Sequence, residues 1–279
     1  QNVHKVPVLT GKEFDLYVSK QSAIVNGKKS MATLINDSLP APTLKMREGD
    51  TVVIRVHNQM DESTSIHWHG LLVPFEMDGV PGISFDGIPA NSTFTYKFKL
   101  KQSGTYWYHS HSGFQEQTGM LGAIVIEPKG RERHPIDEDH VIVLSDWTSR
   151  NPHNLLKLLK QRSDFDNYHL PDFKKLLADI AETDMKTAFD KRKMWNQMRM
   201  LKTDLSDVTG YTFLVNGKTA EQNWTGMFKP NEKVRLRFIN ASAMSFFDVR
   251  IPNLSMTVVS ADGQAVKPVN VDEFRIGAA

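Results

Sequence analysis

Not one of the 279 residues is cysteine. Disulfide bridges, thiolate metal sites and a cysteine nucleophile are therefore excluded. An excess of either charge is also lacking, since 34 basic residues stand against 32 acidic ones for a net +2. With that balance and no basic run, nucleic acid is not expected as a partner. No apolar run reaches the roughly 18 residues that a membrane-crossing helix needs. The opening stretch, QNVHKVPVLTGKEF, has no apolar segment of the kind an export signal carries. The expectation is a cytosolic chain, or a mature one whose targeting segment is gone. No phosphate-cradling or dinucleotide glycine loop, no Gly-x-Ser-x-Gly elbow and no His-Glu-x-x-His is found.

What is present is mainly β. The stretches 50–58 (DTVVIRVHN), 92–100 (STFTYKFKL), 104–111 (GTYWYHSH) and 121–128 (LGAIVIEP) are rich in β-branched and aromatic residues. Between them lie turn-forming stretches such as LPAPT, REGD and DGVPGISFDGIPANS. This rhythm predicts an antiparallel sandwich over residues 1 to about 137. A further strand is expected over 140–148. The pattern then turns helical from Pro152 to about Leu205, with Leu155, Leu156, Leu158 and Leu159 as one apolar set. A long segment over 171–201 continues it, with Pro171 at a first helical position. β character returns at TGYTFLVNG.

The chain also resembles itself. Residues 34–58 parallel 214–240, with Ile35-Asn36 matching Val215-Asn216 and Asn58 matching Asn240. Asn36 and Asn216 lie 180 positions apart (216 − 36), too long a period for a solenoid. A duplicated β domain is expected, at 1–137 and 138–279, with a helical insertion at about 152–205 in the second copy. Aligned this way, Asp248 and Arg250 fall where His67 and His69 stand in the first copy. Too few residues follow Asp262 to close a second sandwich, so that copy is expected to be incomplete, part of a longer polypeptide.

Four of the 10 histidines fall into two pairs, His67 and His69 in HWHG and His109 and His111 in YHSHSG. In a strand, residues i and i+2 share a face. Two neighbouring strands would then gather four imidazoles, and imidazole nitrogen suits copper, zinc, iron and nickel. A single pair of this kind is commonly just a polar surface strand. Two pairs flanked by Trp or Tyr and by Gly70 and Gly113 argue for a metal. His4, His57, His134, His140, His153 and His169 are scattered and carry no such pattern. Met194, Met198 and Met200 sit at helical spacing and could offer thioethers to Cu(I), although such spacing usually marks a packed face.

The run HWHG, YWYHSH and GMLGAIVIEP resembles the first domain of multicopper oxidases. TDLSDVTG, YTFLVNG, NWTG, RLRFINASAM and DVRIPNLSMTVVSADGQ resemble the second domain of the bacterial copper-resistance group of that family. The resemblance covers nearly the whole chain and implies two cupredoxin-like Greek-key β-sandwiches. It further implies that His67 binds the type 2 copper of a trinuclear cluster, and that His69, His109 and His111 bind the type 3 pair. The other four of eight histidines, and the cysteine-dependent type 1 site, would come from a C-terminal cupredoxin domain. Asp78 would be the acidic residue beside the cluster that assists proton delivery, although Asp-Gly is also an ordinary turn. The implied reaction oxidises Cu(I) or phenol-like donors and reduces dioxygen to water, in the periplasm. This chain by itself is expected to be inactive. The alternatives are a module that sequesters copper without turnover and, more weakly, a metal-binding sandwich of the dismutase type.

Overall fold

The computed structural model describes residues 5–161, 173–197 and 210–278. Nine strands build the first β region: β1 (Val8–Thr10), β2 (Glu13–Val25), β3 (Lys28–Ile35), β4 (Ala41–Arg47), β5 (Thr51–Asn58), β6 (His67–His69), β7 (Thr93–Lys99), β8 (Gly104–His109) and β9 (Leu121–Glu127). One sheet runs β3-β2-β5-β7 and the other β1-β4-β9-β8-β6. β5 shows why the pairing holds its register. Val52, Ile54 and Val56 are fully buried while their neighbours are partly exposed. A slip by one residue would turn all three outward, at about 2 kcal/mol for each apolar side chain. The core between the sheets is filled by Trp68, Tyr96, Tyr108, Leu16, Ile54 and Ile124 among others.

The sheets are mixed rather than purely antiparallel, because β1–β4, β4–β9 and β2–β5 pair in parallel. Of the proline-rich stretch expected to be a turn, residues 39–43, Leu39 and Pro40 form a bend, while Ala41, Pro42 and Thr43 open β4. Its ladder to β9 shifts between Ala41 and Leu44, where Pro42 has no N–H to give. Ala41, Leu44 and Met46 are buried, so burial overrides the turn-like composition.

The second β region has β10 (Glu138–Trp147), β11 (Thr212–Val215), β12 (Val234–Asn240), β13 (Phe247–Arg250), β14 (Met256–Ala261), β15 (Gln264–Val271) and β16 (Glu273–Ile276). β9 joins the two regions because both its faces are covered. Ile124 and Ile126 enter the first core, whereas Leu121 and Ala123 pack with Trp107, Val143, Ile239 and Ala241.

The two regions share matching side-chain bonds. Asn36 and Asn216 both take positive φ, 51° and 50°. Each amide oxygen accepts from a strand N–H, that of Tyr17 and of Val143, while each amide nitrogen donates to a carbonyl two residues earlier, at Asp15 and Val141. Asn58 and Asn240 likewise donate to the carbonyls of Ile88 and Ile276. Those bonds set the true equivalence. Thr64 bridges Ile88 and Phe247 pairs with Ile276. Counting on from these, Arg250 and not Asp248 stands where His67 stands. The stretch from Asn240 to Phe247 is one residue longer than that from Asn58 to Thr64, which supplies one of the two positions by which the sequence alignment is out.

The chain divides into two compact units, Gln1–Ser149 with Thr212–Ala279, and Arg150–Tyr211. The second holds α1 (Pro152–Gln161), α2 (Phe173–Glu182) and α3 (Met185–Gln197). The continuous helix expected over 171–201 is broken. Asp184 caps α3, its carboxylate accepting from the Thr187 N–H at 2.9 Å, and Thr183 bonds back to the Asp179 carbonyl. Of the four leucines expected to share a buried face, Leu155 is buried and Leu156 and Leu158 are exposed. Pro171, Leu205 and the side chain of Leu159 lie outside what is described.

Asn216 is buried and answers two backbone groups. Asn216→Ala leaves both unpaired and keeps a positive φ, so it is expected to cost about 3 kcal/mol. Urea titration measures this as a lower midpoint; a loss below about 1 kcal/mol would contradict the assignment.

Candidate metal centre

β6 pairs antiparallel with β8, His67 opposite His109 and His69 opposite Trp107. Trp68 points the other way into the core, fully buried and edge-on to Tyr96 at 5.1 Å. Alternation along β6 therefore turns both its histidines to the same face. His111 arrives differently from expectation. β8 ends at His109, and His111 lies in the loop beyond. Its N–H donates to the Ser65 hydroxyl at 3.1 Å, and that hydroxyl also bonds Ser112 at 2.8 Å. A hydroxyl anchor two residues before His67, not strand alternation, brings His111 back to the group.

All four imidazoles meet. Ring centroids lie 4.9 Å apart for His67–His111 and for His109–His111, and 5.5 Å for His67–His109 and for His69–His109. One nitrogen each from His67, His109 and His111 falls within 4.8 Å of the others. His69 is outside that trio and closest to His109, with its Nδ1 at 3.2 Å from His109 Nε2. The four thus form two overlapping sets that share His109.

The hydrogen bonds decide which nitrogens are free. His67 Nδ1 is 2.8 Å from the Asp78 carbonyl oxygen, which only accepts, so Nδ1 carries the proton and Nε2 keeps a lone pair. The Asp78 carboxylate stands farther off, at 3.4 Å, and is the weaker contact. His109 Nδ1 donates to the Ser110 carbonyl at 3.1 Å and to Glu116 Oε2 at 3.0 Å, which leaves its Nε2 open as well. Between His69 Nδ1 and His109 Nε2 one proton can bridge, or a metal ion can replace it. Two imidazole nitrogens on one metal lie about 3 Å apart at bond lengths near 2.0 Å. The donor set fits a borderline transition metal such as copper, with outer partners of the kind that orient ligating histidines.

Burial, reinforced by the neighbouring His109 and His67, lowers the His69 pKa to about 4. His111 is lowered for the same first cause. Both therefore stay neutral, the form that ligates, at neutral pH.

The turn at Asp78 allows no side chain at its next position. Gly79 has φ +80°, and a Cβ there would sit 1.7 Å from the Ile66 carbonyl oxygen. The backbone of the turn is thus pressed onto the strand leading into His67. Gly113, beside the second pair, has open space around it, and only its φ of +54° asks for glycine.

Spacing did not reveal Glu116 or Trp107. Trp107 stacks on His109 at 4.1 Å and on His69 at 5.0 Å. Position i−2 to His109 in a strand was the available signal for Trp107. Glu116, in the loop after His111, offered none. Of the scattered histidines, His57 is engaged by Asp15 at 2.8 Å and Thr93 at 2.9 Å. His140 bonds the Met227 carbonyl. Met194 is exposed; Met198, Met200, His4 and His169 lie outside the described residues.

Comparison with known proteins agrees with this architecture. A family model described as multicopper oxidase matches residues 17–131, and a second with the same description matches 138–279. Copper resistance protein A of Escherichia coli is 52% identical over 97% of this chain, which covers 45% of that protein. Laccase-1 of Cryptococcus neoformans is 30% identical over 96% of the chain and 40% of its own length. Among solved structures, a laccase from Botrytis aclada superposes with a TM-score of 0.68 at 28% identity, over 98% of this chain and 46% of that one. The blue copper oxidase from Nitrosomonas europaea gives 0.70 at 25% identity, over 95% and 72%. The chain spans about half the length of the curated relatives it matches.

A histidine whose folded pKa lies below its unfolded value leaves the folded state with fewer bound protons than the unfolded state, so stability rises with pH. Without metal, His69 should therefore make the chain less stable as pH falls from about 6.5 to about 4. Urea midpoints across that window check this, and His69→Gln should flatten the slope. An identical slope in that variant would contradict it.

Proposed function

This chain belongs to the multicopper oxidase family, and from that premise we propose that His67, His69, His109 and His111 are half the ligand set of a trinuclear copper cluster. The carrying observation is the convergence of open imidazole nitrogens, three within 4.8 Å and a fourth 3.2 Å from one of them. His67 serves the type 2 ion, and His69, His109 and His111 serve the type 3 pair, with His69 and His109 sharing one ion. When bound, the cluster would supply the site at which dioxygen is reduced to water, with the four electrons coming from the donor.

The residues of the chain orient and protect that site. The Asp78 carbonyl holds the proton on His67 Nδ1, and the Asp78 side chain, 3.4 Å away and partly exposed, would relay protons from solvent toward the site. Glu116 and the Ser110 carbonyl hold the His109 tautomer in the same way. Trp107 covers one side of the His69–His109 couple and keeps water from it.

With no cysteine here, the blue electron-entry copper belongs to a C-terminal cupredoxin domain of the same parent chain. The greater length of the curated relatives supports this. Cu(I) is the donor that the copper-resistance relatives suggest, with phenol-like donors suggested by the laccases. A periplasmic site of action is read from the likeness to the bacterial copper-resistance proteins alone; among the described residues no helix is long and apolar enough to cross a membrane. Residues 1–137 and 138–279 are read as the two cupredoxin-like domains, a division supported by the gap between the matches at 131 and 138.

The test uses the longer gene product and this chain in parallel. The longer protein should consume dioxygen with Cu(I), and His109→Ala should lower that rate by at least about a hundredfold, because a direct ligand matters more than the outer partners whose loss costs about 10–100-fold. This chain alone should bind copper with no intense blue band and no turnover. A longer protein that binds copper at these histidines yet consumes no dioxygen would favour sequestration instead.

A further inference from the structure

The face of the first β region that carries the imidazoles is also the face that the second region covers. On β8, Trp107 and His109 point the same way; across the ladders stand His69, His67, Ala123 and Leu121. Trp107, Leu121 and Ala123 are packed in one cluster with Val143 of β10, Ile239 of β12 and Ala241.

Three consecutive residues of β8 meet the second region before the strand reaches the metal site. The Thr105 hydroxyl accepts from Arg237 Nη1 at 2.8 Å, and Arg237 is itself braced by Asp139. The Tyr106 hydroxyl donates to the Ser103 carbonyl at 2.9 Å and also stands 3.3 Å from the Gly263 carbonyl. Gly263, in the turn between β14 and β15, has φ +70°, and a Cβ there would lie 2.3 Å from the Tyr106 ring. The contact exists only because the residue is glycine. Trp107 then joins the apolar cluster through its indole and presses the same ring system flat on His109, at 4.1 Å and 18°, and on His69, at 5.0 Å and 26°.

We infer that β8 is a strut through which packing of the second β region sets the orientation of His69 and His109, with Trp107 as the positioning residue. Close packing makes the transfer effective, because a well-filled cluster has few ways to absorb a displaced ring. The second region, which places no imidazole in the site, thereby takes part in its geometry. A change at Ile239, a member of the seam cluster on β12, is felt at the imidazoles through the indole between them.

The inference rests on the copper reading only for its second readout. The first needs no metal. In the metal-free 279-residue chain, the carbon-bound protons of His109 and His69 should resonate upfield, in the ring current of the stacked indole. Trp107→Leu should abolish that displacement, Trp107→Phe should keep most of it, and Ile239→Val should shift it without touching either ring. In copper-loaded chain, Trp107→Leu should weaken copper binding by about tenfold or more and alter the electron paramagnetic resonance spectrum, with Trp107→Phe restoring both. Should Trp107→Leu fail to fold, the Ile239→Val spectrum decides alone. Unchanged His109 and His69 resonances in folded Trp107→Leu, or in Ile239→Val, would overturn the strut. A wild-type chain that binds no copper would overturn the proposed function and leave the metal-free spectra to judge the strut.

Discussion

Everything at the candidate metal centre depends on one short ladder, the antiparallel pairing of β6 with β8 that sets His67 opposite His109. β6 is only three residues long, so backbone hydrogen bonds alone would hold it weakly. Its anchor is the residue between the histidines. Trp68 fills the first core beside Tyr96 and Tyr108, and Tyr108 donates its hydroxyl to the Pro42 carbonyl at 2.6 Å. Burying the aromatic on one face thereby fixes the imidazoles on the other, since a strand cannot turn one without turning its neighbours. The Asp78–Gly79 turn and the Ser65 hydroxyl then lock the outer two imidazoles, at His67 and His111.

The duplicated frame shows what is scaffold and what is site. Asn36 and Asn216 make the same bonds in the two copies, as do Asn58 and Asn240 in part. In each copy the first of these amides ties the end of one strand to its antiparallel neighbour, β3 to β2 and β11 to β10. At the position of His67 the second copy has Arg250, and Asp248 nearby is paired with Arg275 at 2.7 Å. One copy therefore carries the imidazoles, while the other packs against the sheet that bears them.

Much of this was legible in the sequence, and the reasons for the rest are physical. Alternation around Trp68 disclosed His67 and His69 directly. The same rule placed His111 on a strand that in fact ends at His109, because a side-chain anchor 46 residues back in the chain leaves no periodic trace. Glu116 and Trp107 went unnoticed for a related reason: their roles come from tertiary contact, not from spacing. β4 was hidden by prolines that a bulged ladder tolerates. The equivalence of Asp248 with His67 failed by two positions, since aligned text does not show the strand pairings of Thr64 with Ile88 and of Phe247 with Ile276. The split of the long helix at Asp184 was written in the sequence as a capping residue, outweighed by the apolar period around it.

The central claim is that these four imidazoles close around shared copper. X-ray absorption at the copper edge, on this chain loaded with copper, tests it most directly. With a single copper ion per chain, the account predicts nitrogen scatterers near 2.0 Å with the outer-shell pattern of two or more imidazole rings. A first shell made of oxygen, or outer scattering from no more than a single ring, would contradict it.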